Sequence, residues 1–267
     1  MNDVGGLATM ATRMNIARLF LAIAGLMAMA WAYAVFPVFW SQNVIVDVGT
    51  AVLAGEAFKP DVLAAVAALT ETNSKTKVRP SVLGKAAAIR VRQAEDAMRA
   101  GDPQVTDQRL EALTRSVDEA ARNAPSDPFL WLVWFWLDTT RNGLRPENLA
   151  FLRMSYDLGP YEGWIAVKRN GLALAAFAAL PNDLAERAIA EFVGLVRWGL
   201  VAEASAIAAG TPPQLRTILF ARLKDLNYEQ RRAFAGAIYG REVDDVPVPG
   251  IAPPTPPIRT PVMPPDF

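Results

Sequence analysis

The chain has 267 residues, and 27 Lys plus Arg balance 27 Asp plus Glu, so it carries no field to draw nucleic acid or an anionic surface. It contains neither cysteine nor histidine. That excludes disulfides, thiolate or imidazole metal sites, and every catalytic arrangement pairing a nucleophile with histidine; a Ser–Lys pair or an all-carboxylate metal site stays formally open.

The chain opens on an apolar segment. Residues 19 to 46 hold no charged side chain, and Leu19 to Trp40 supplies 22 almost uniformly apolar residues. About 20 such residues in a helix match a hydrocarbon core of about 30 Å, and a helix satisfies its own backbone groups in lipid. Trp31, Tyr33, Phe36, Phe39 and Trp40 gather toward one end, where ring side chains favour the headgroup level. Pro37 falls in the last turn, where a kink or helix end is tolerable. Arg13 and Arg18 precede the segment, whereas the first cation after it is Lys59, behind Asp47 and Glu56. The cation asymmetry predicts a cytoplasmic N-terminus (residues 1–18) and an exported body, hence a bacterial inner-membrane protein facing the periplasm. The same stretch also fits a cleaved signal, with Ala32-Tyr33-Ala34 as the cut. A buried core helix is the third reading.

Beyond the anchor, alanine-rich segments of helical period alternate with short Gly, Pro, Asp or Asn breaks, which predicts an all-α body. A linker of helices covers residues 41–79. Its first helix runs from Ser41 to Ala54, stopped by Gly55, and a second from Pro60 to about Thr70. A polar loop follows over residues 71–79. A long helix starts at Pro80 or Ser81 and ends at Ala100, before Gly101-Asp102-Pro103. Another covers Gln104 to Asn123. In Pro125-Ser126-Asp127-Pro128, Asp127 caps the next helix and Pro128 occupies its first turn. This helix contains nine consecutive apolar residues, Phe129 to Leu137, too few to span a bilayer and apolar on all faces, so it belongs at a buried centre.

Further helices are predicted from Pro146 to Leu158, Tyr161 to Ala179, Asn182 to Gly199, Leu200 to Ala209, Pro212 to Leu223 and Tyr228 to Tyr239. Asp183 with Glu186, and Asn227 with Gln230, have capping-box spacing, and Thr211 precedes Pro212 as a cap. From residue 243 the texture changes: nine prolines fall between residues 247 and 265. Proline fixes φ and lacks a donor, so residues 243–267 are expected to be extended or disordered, either a docking strip for an aromatic groove or a flexible tail.

Trp131 and Trp164 stand 33 residues apart, each soon after a proline-bearing turn. The 34-residue unit from Asp127 to Pro160 places Trp131 early in its first helix, Gly143 at the turn, Leu152 and Ser155 on the second helix, and Asp157-Leu158-Gly159-Pro160 at its close. It resembles a tetratricopeptide repeat. Trp134-Phe135 stands where that pattern wants Leu-Gly, and the unit needs one inserted residue to align. The resemblance reaches over about residues 80 to 180, with degenerate units on both sides. It implies a solenoid of helical hairpins over residues 80–242, the alternative being an irregular bundle. In that class the inner groove holds an extended segment of a partner through long polar side chains. By resemblance, Arg141, Arg145, Arg153, Lys168 and Arg169 are the candidate groove lining; the alternative is that they form surface and interhelix ion pairs.

Other chemistry is weakly specified. Ser74 and Lys77 have Ser-x-x-Lys spacing, but in a polar loop without the supporting motifs. Glu186 and Glu191 are five apart, off a common helical face, and read as solvated charge, as do Asp244 and Asp245. The stripe of Phe192, Leu195, Val196 and Trp198 reads as core. No phosphate-binding glycine loop or sustained heptad occurs. The expectation is a membrane-anchored periplasmic scaffold or adaptor, not an enzyme and without a cofactor. Its partners are the bilayer, through Leu19 to Trp40, and another envelope or inner-membrane protein, in a setting such as polysaccharide synthesis or export. The alternative is an accessory subunit of an inner-membrane complex packing through Ala22, Gly25 and Ala28-Met29-Ala30 of the span. A carboxylate-based enzyme acting on glycan is the remaining reading.

Overall fold

The computed structural model describes residues 4–73 and 79–253, and all regular structure among them is helical. The chain divides into two compact units, Met1–Ala124 and Pro125–Phe267. That division falls inside the range 80–242 expected to form one body.

The first unit contains α1 (Val4–Leu53), α2 (Pro60–Asn73), α3 (Pro80–Ala100) and α4 (Pro103–Asn123). Helix α1 is one uninterrupted rod of 50 residues, about 75 Å at the α-helical rise. It passes through Pro37 rather than ending there. The segment from Phe20 is long and apolar enough to cross a membrane, and its most apolar window is wholly exposed. The expected separate helix at Ser41 is the end of this rod. A new stripe begins there: Gln42, Ile45, Gly49 and Val52 are buried at helical spacing. Ile45 and Val52 join Leu63, Val66, Ala67, Val82, Ala86 and Ile89 in one cluster. The end of α1 and the start of α2, within the range expected to be a linker of helices, therefore contribute to a core.

Two details fix α1 against α3. A Cβ on Gly49 would lie 2.6 Å from Lys85 Cβ and 2.8 Å from the Lys85 carbonyl oxygen, so only glycine permits this approach. Arg79, immediately before α3, donates from Nε to Gln42 Oε1 (3.0 Å) and from Nη2 to Asn43 Oδ1 (2.9 Å), with its guanidinium over the Phe39 ring. Between α3 and α4, Gly101 takes the left-handed conformation and Asp102 caps α4 by accepting from the Gln104 and Val105 amides. Leu110, Leu113, Val117 and Ala120 form the buried face of α4.

The second unit comprises α5 (Pro128–Asn142), α6 (Leu149–Leu158), α7 (Gly163–Ala175), α8 (Asn182–Arg197), α9 (Val201–Ala209), α10 (Pro213–Arg222) and α11 (Tyr228–Tyr239). Asp127 caps α5 through the Phe129 amide and Pro128 opens it, as expected. In the apolar run of α5, Phe129, Leu130, Leu132, Val133, Phe135 and Leu137 are buried. Trp131 and Trp134 lie half-buried and stack on Phe151 of α6. Helix α6 starts three residues later than predicted. Buried Asn148 closes the preceding turn instead, accepting from the Arg145 amide and donating to the Gly143 carbonyl. Gly159 sits against Pro128, where an added Cβ would come within 2.5 Å of Pro128 Cγ. Deeper in, Phe192, Phe220 and Phe234 meet edge to face.

Of three expected end signals, one holds and two do not. Asn227 and Gln230 form the predicted capping box. Asp183 and Glu186 do not: α8 starts after Pro181 without a side-chain cap, and the two carboxylates pair with Arg153 and Arg222. Thr211 bonds back to the Ala208 carbonyl and caps nothing, because Pro212 intervenes before α10.

The start of the proline-rich region is packed. Val248 is buried, and its amide donates to Tyr239 Oη at 3.2 Å. Arg216 bonds both Asp245 oxygens, and Arg231 donates to the Pro249 carbonyl at 2.8 Å. Polar side chains of α10 and α11 thus hold residues 245–249 as a strap. Residues 254–267, the rest of the expected tail, lie outside the described residues.

Candidate functional site

The five candidate basic residues do not converge on one lining. Arg141 is exposed at the end of α5, and Lys168 is exposed on α7. Arg145 is exposed in the turn before α6 and reaches back to Asp138. Arg153 bridges from α6 to Asp183 of α8. Arg169 is fully enclosed, so it cannot line an open groove as expected.

Arg169 is instead the hub of a polar network among α6, α7 and α8. Its Nε and Nη2 donate to Glu191 Oε1 at 3.0 and 2.6 Å. Nη1 donates to the Ser155 carbonyl (2.5 Å) and Oγ (3.2 Å), and Nη2 also reaches the Gly159 carbonyl (3.0 Å). Tyr156 donates its hydroxyl to Glu191 Oε2 at 3.0 Å while its ring faces the guanidinium at 4.2 Å. Beside it, Asn170 donates to the Ala188 carbonyl.

A buried charge pair survives when nearly every donor and acceptor is matched. Here the guanidinium satisfies a helix C-terminus, the Ser155 and Gly159 carbonyls, as well as the carboxylate. Burial pushes the Glu191 carboxyl above the usual carboxylate range, with the Arg169 charge opposing. Burial also raises the Tyr156 phenol, with the Glu191 charge adding to it. Both oxygens of Glu191 are committed, so the network holds three helices in register.

Two outer ion pairs repeat that register. Arg153–Asp183 and Asp157–Arg187 each join residues 30 apart, with reversed polarity one helical turn on, so α6 and α8 run in parallel. The Arg153 hydrogen bond lowers the Asp183 carboxyl.

Above this network lies a groove of about 510 Å³, floored by Tyr156 and Glu191 and edged by Pro160, Tyr161, Arg197 and Trp198. Tyr161 is 84% exposed and Trp198 45%. The Trp198 ring rests on Gly194, where a Cβ would stand 3.4 Å from Cη2; the missing side chain makes a seat for the indole. No carboxylate among the described residues pairs with Arg197, whereas Arg187 is bonded to Asp157 at 2.5 Å. Two other grooves are mostly apolar. One of about 580 Å³ lies among α7, α9 and α10, with Phe177, Ile207 and Ile218 on its walls. One of about 310 Å³ lies between α5 and α7, beside Trp136 and Leu172. None of the three is lined by Arg141, Arg145, Arg153, Lys168 or Arg169.

Sequence reasoning missed Glu191, placing it in solvent. The signal was present: Leu184, Ala188, Glu191 and Leu195 recur at helical spacing on the buried stripe of α8. Arg169 likewise sits between Ile165 and Ala173 on the buried face of α7. Among the described residues no group of three or more acidic side chains is placed to hold a metal ion. Ser74 and Lys77 lie outside the described residues. Comparison with protein-family models, curated proteins and solved structures finds no match.

Proposed function

We propose that this chain is a membrane-tethered helical adaptor that presents its second unit to another protein of the bacterial envelope. The observation that carries the reading is the exposed apolar stretch of α1, from Phe20 to Trp40, running without a break into a packed helical core. Exposing so much contiguous apolar surface in water is a liability that a bilayer removes. Arg13 and Arg18 on one side support an exported body. Hairpin packing of α5 with α6 and α7 with α8 supports the tetratricopeptide-like reading of the second unit. The satisfied Arg169–Glu191 network supports a rigid binding surface over chemistry, since its carboxylate is already engaged.

The test is affinity capture of the full chain from detergent-solubilised membranes, beside a variant whose residues 19–40 are replaced by an unrelated apolar 22-mer. A specific envelope partner recovered by both chains supports the adaptor. A partner lost with the replaced span favours the accessory-subunit reading, and recovery of nothing above background by either contradicts both.

A further inference from the structure

We propose that Arg79 is a lipid-headgroup site. It holds a membrane phosphodiester at the level where α1 leaves the bilayer, so the first unit stands directly on the membrane surface. The inference rests on the tether reading of α1 and adds a lipid contact that lies outside the span.

The level is read along α1. Phe36, Phe39 and Trp40 are exposed, and the buried stripe begins at Gln42. At the helical rise, Gln42 and Asn43 lie about 3 and 4.5 Å beyond Trp40. The headgroup layer outside a hydrocarbon core of about 30 Å is roughly 5–7 Å deep on each side. Both amides therefore fall within that layer, and Arg79 is bonded to both. Its guanidinium stands 5.3 Å from the centroid of the Phe39 ring, which belongs to the last apolar turn. Further along the two helices, Gly49 packs on Lys85. Helix α3 thus runs beside the end of α1 in the same direction, away from the bilayer, and Arg79 sits at its membrane-proximal end.

The chemistry points to phosphate. Arg79 donates from Nε to Gln42 and from Nη2 to Asn43, and its face lies over Phe39. All three partners are neutral. Among the described residues no carboxylate pairs with Arg79, and its Nη1 has no partner. The fork is therefore held in place with its charge uncompensated and two N–H groups unused. A pre-set guanidinium suits the oxygens of a phosphodiester, which accept such donors in charge-assisted bonds. A soluble anion would meet the same charge. The rings of Phe39 and Trp40 decide for lipid: they are exposed apolar surface that acyl chains cover and a soluble anion leaves wet.

The experiment titrates the full chain in maltoside micelles with phosphatidylglycerol, and separately with diacylglycerol, which has the same tails and no phosphate. Bound lipid is counted by native mass spectrometry. Every chain carries Arg13→Gln and Arg18→Gln, so that cations at the other end of the span do not contribute. An interfacial arginine is worth about a fivefold preference for an anionic headgroup, and the parent chain should bind phosphatidylglycerol that much more tightly than diacylglycerol. Arg79→Gln should abolish the preference while leaving diacylglycerol binding unchanged. Arg79→Lys, which keeps the charge, should restore part of it. A purely structural role for Arg79 would instead weaken both lipids equally in Arg79→Gln, and would overturn the proposal. Circular dichroism checks that the variants fold, and the comparison of the two lipids on the parent chain needs no variant at position 79. No preference in the parent chain, or a preference intact in Arg79→Gln, also overturns the proposal and leaves the tether standing. Displacement of phosphatidylglycerol by an equal concentration of inorganic phosphate overturns it in favour of a soluble anion. A chain that stays monomeric without detergent and binds neither lipid overturns the tether reading as well.

Discussion

Removing Glu191 strands a charge. In Glu191→Ala, Arg169 loses the acceptor of two of its hydrogen bonds, and the Tyr156 hydroxyl loses its own. The guanidinium keeps the Ser155 and Gly159 carbonyls but stays fully enclosed with no counter-charge. Breaking a buried pair from one side typically costs about 3–5 kcal/mol, against a total domain stability of about 5–15 kcal/mol. At about 2–4 °C per kcal/mol for a body of this size, the melting temperature should fall by about 6–20 °C. Thermal melts of the full chain in micelles, followed by far-ultraviolet circular dichroism, measure this. The double variant Arg169→Met/Glu191→Leu removes both charges at similar volume and should recover most of the loss, because the penalty lies in the unpaired ion. A single variant that costs under about 1 kcal/mol, or a double variant no better than the worse single, refutes the reasoning.

Other expectations follow from close contacts and caps. Gly159→Ala should destabilise the second unit by about 1–3 kcal/mol in urea unfolding, since its Cβ meets the Pro128 ring. Asp127→Ala should cost about 1 kcal/mol by the same measurement, as the Phe129 amide loses its acceptor. Gly49→Val should separate α1 from α3 and raise hydrogen exchange around Ile45 and Val82, because the obstacle is Lys85 backbone. The strap should depend on acid. The Arg216 hydrogen bond holds the Asp245 carboxyl below the usual carboxylate range. A lowered folded value stabilises above the unfolded value, near pH 4, and that contribution is lost as pH falls through the lowered one. Exchange of the Val248 amide should therefore rise below about pH 4 in the native chain, and Asp245→Asn should remove the pH dependence.

Helix ends were the most legible part of the chain, because they rest on local chemistry. Gly101-Asp102-Pro103, Asp127-Pro128 and Asn227 with Gln230 each carry their own stop or cap, and the structure uses all three. Signals that compete with tertiary partners were misread. Asp183 had capping-box spacing, yet its carboxylate is drawn to Arg153 across the helix pair, which no local window contains. A break between the span and a helix from Ser41 is expected, but the rod continues, since the stripe of Ile45 and Val52 needs the same helix to reach α3. Among the candidate residues, Arg169 was singled out for the wrong surroundings. Its charge suggests an exposed lining, but the stripe it shares with Ile165 and Ala173, and Glu191 on the buried stripe of α8, place both inside. The strap at residues 245–249 was hidden for a related reason: proline excludes helix but does not exclude packing, and its anchors Arg216, Arg231 and Tyr239 lie on other elements.

The account depends on α1 being a membrane tether with the helical units outside the cytosol. Protease treatment of intact spheroplasts, with alkaline carbonate extraction of the membranes, tests this most directly. The account predicts a chain that resists extraction and whose helical units are digested without lysis, leaving a short protected fragment containing residues 1–40. A chain released by carbonate, or one cut only after the cells are broken, would contradict it.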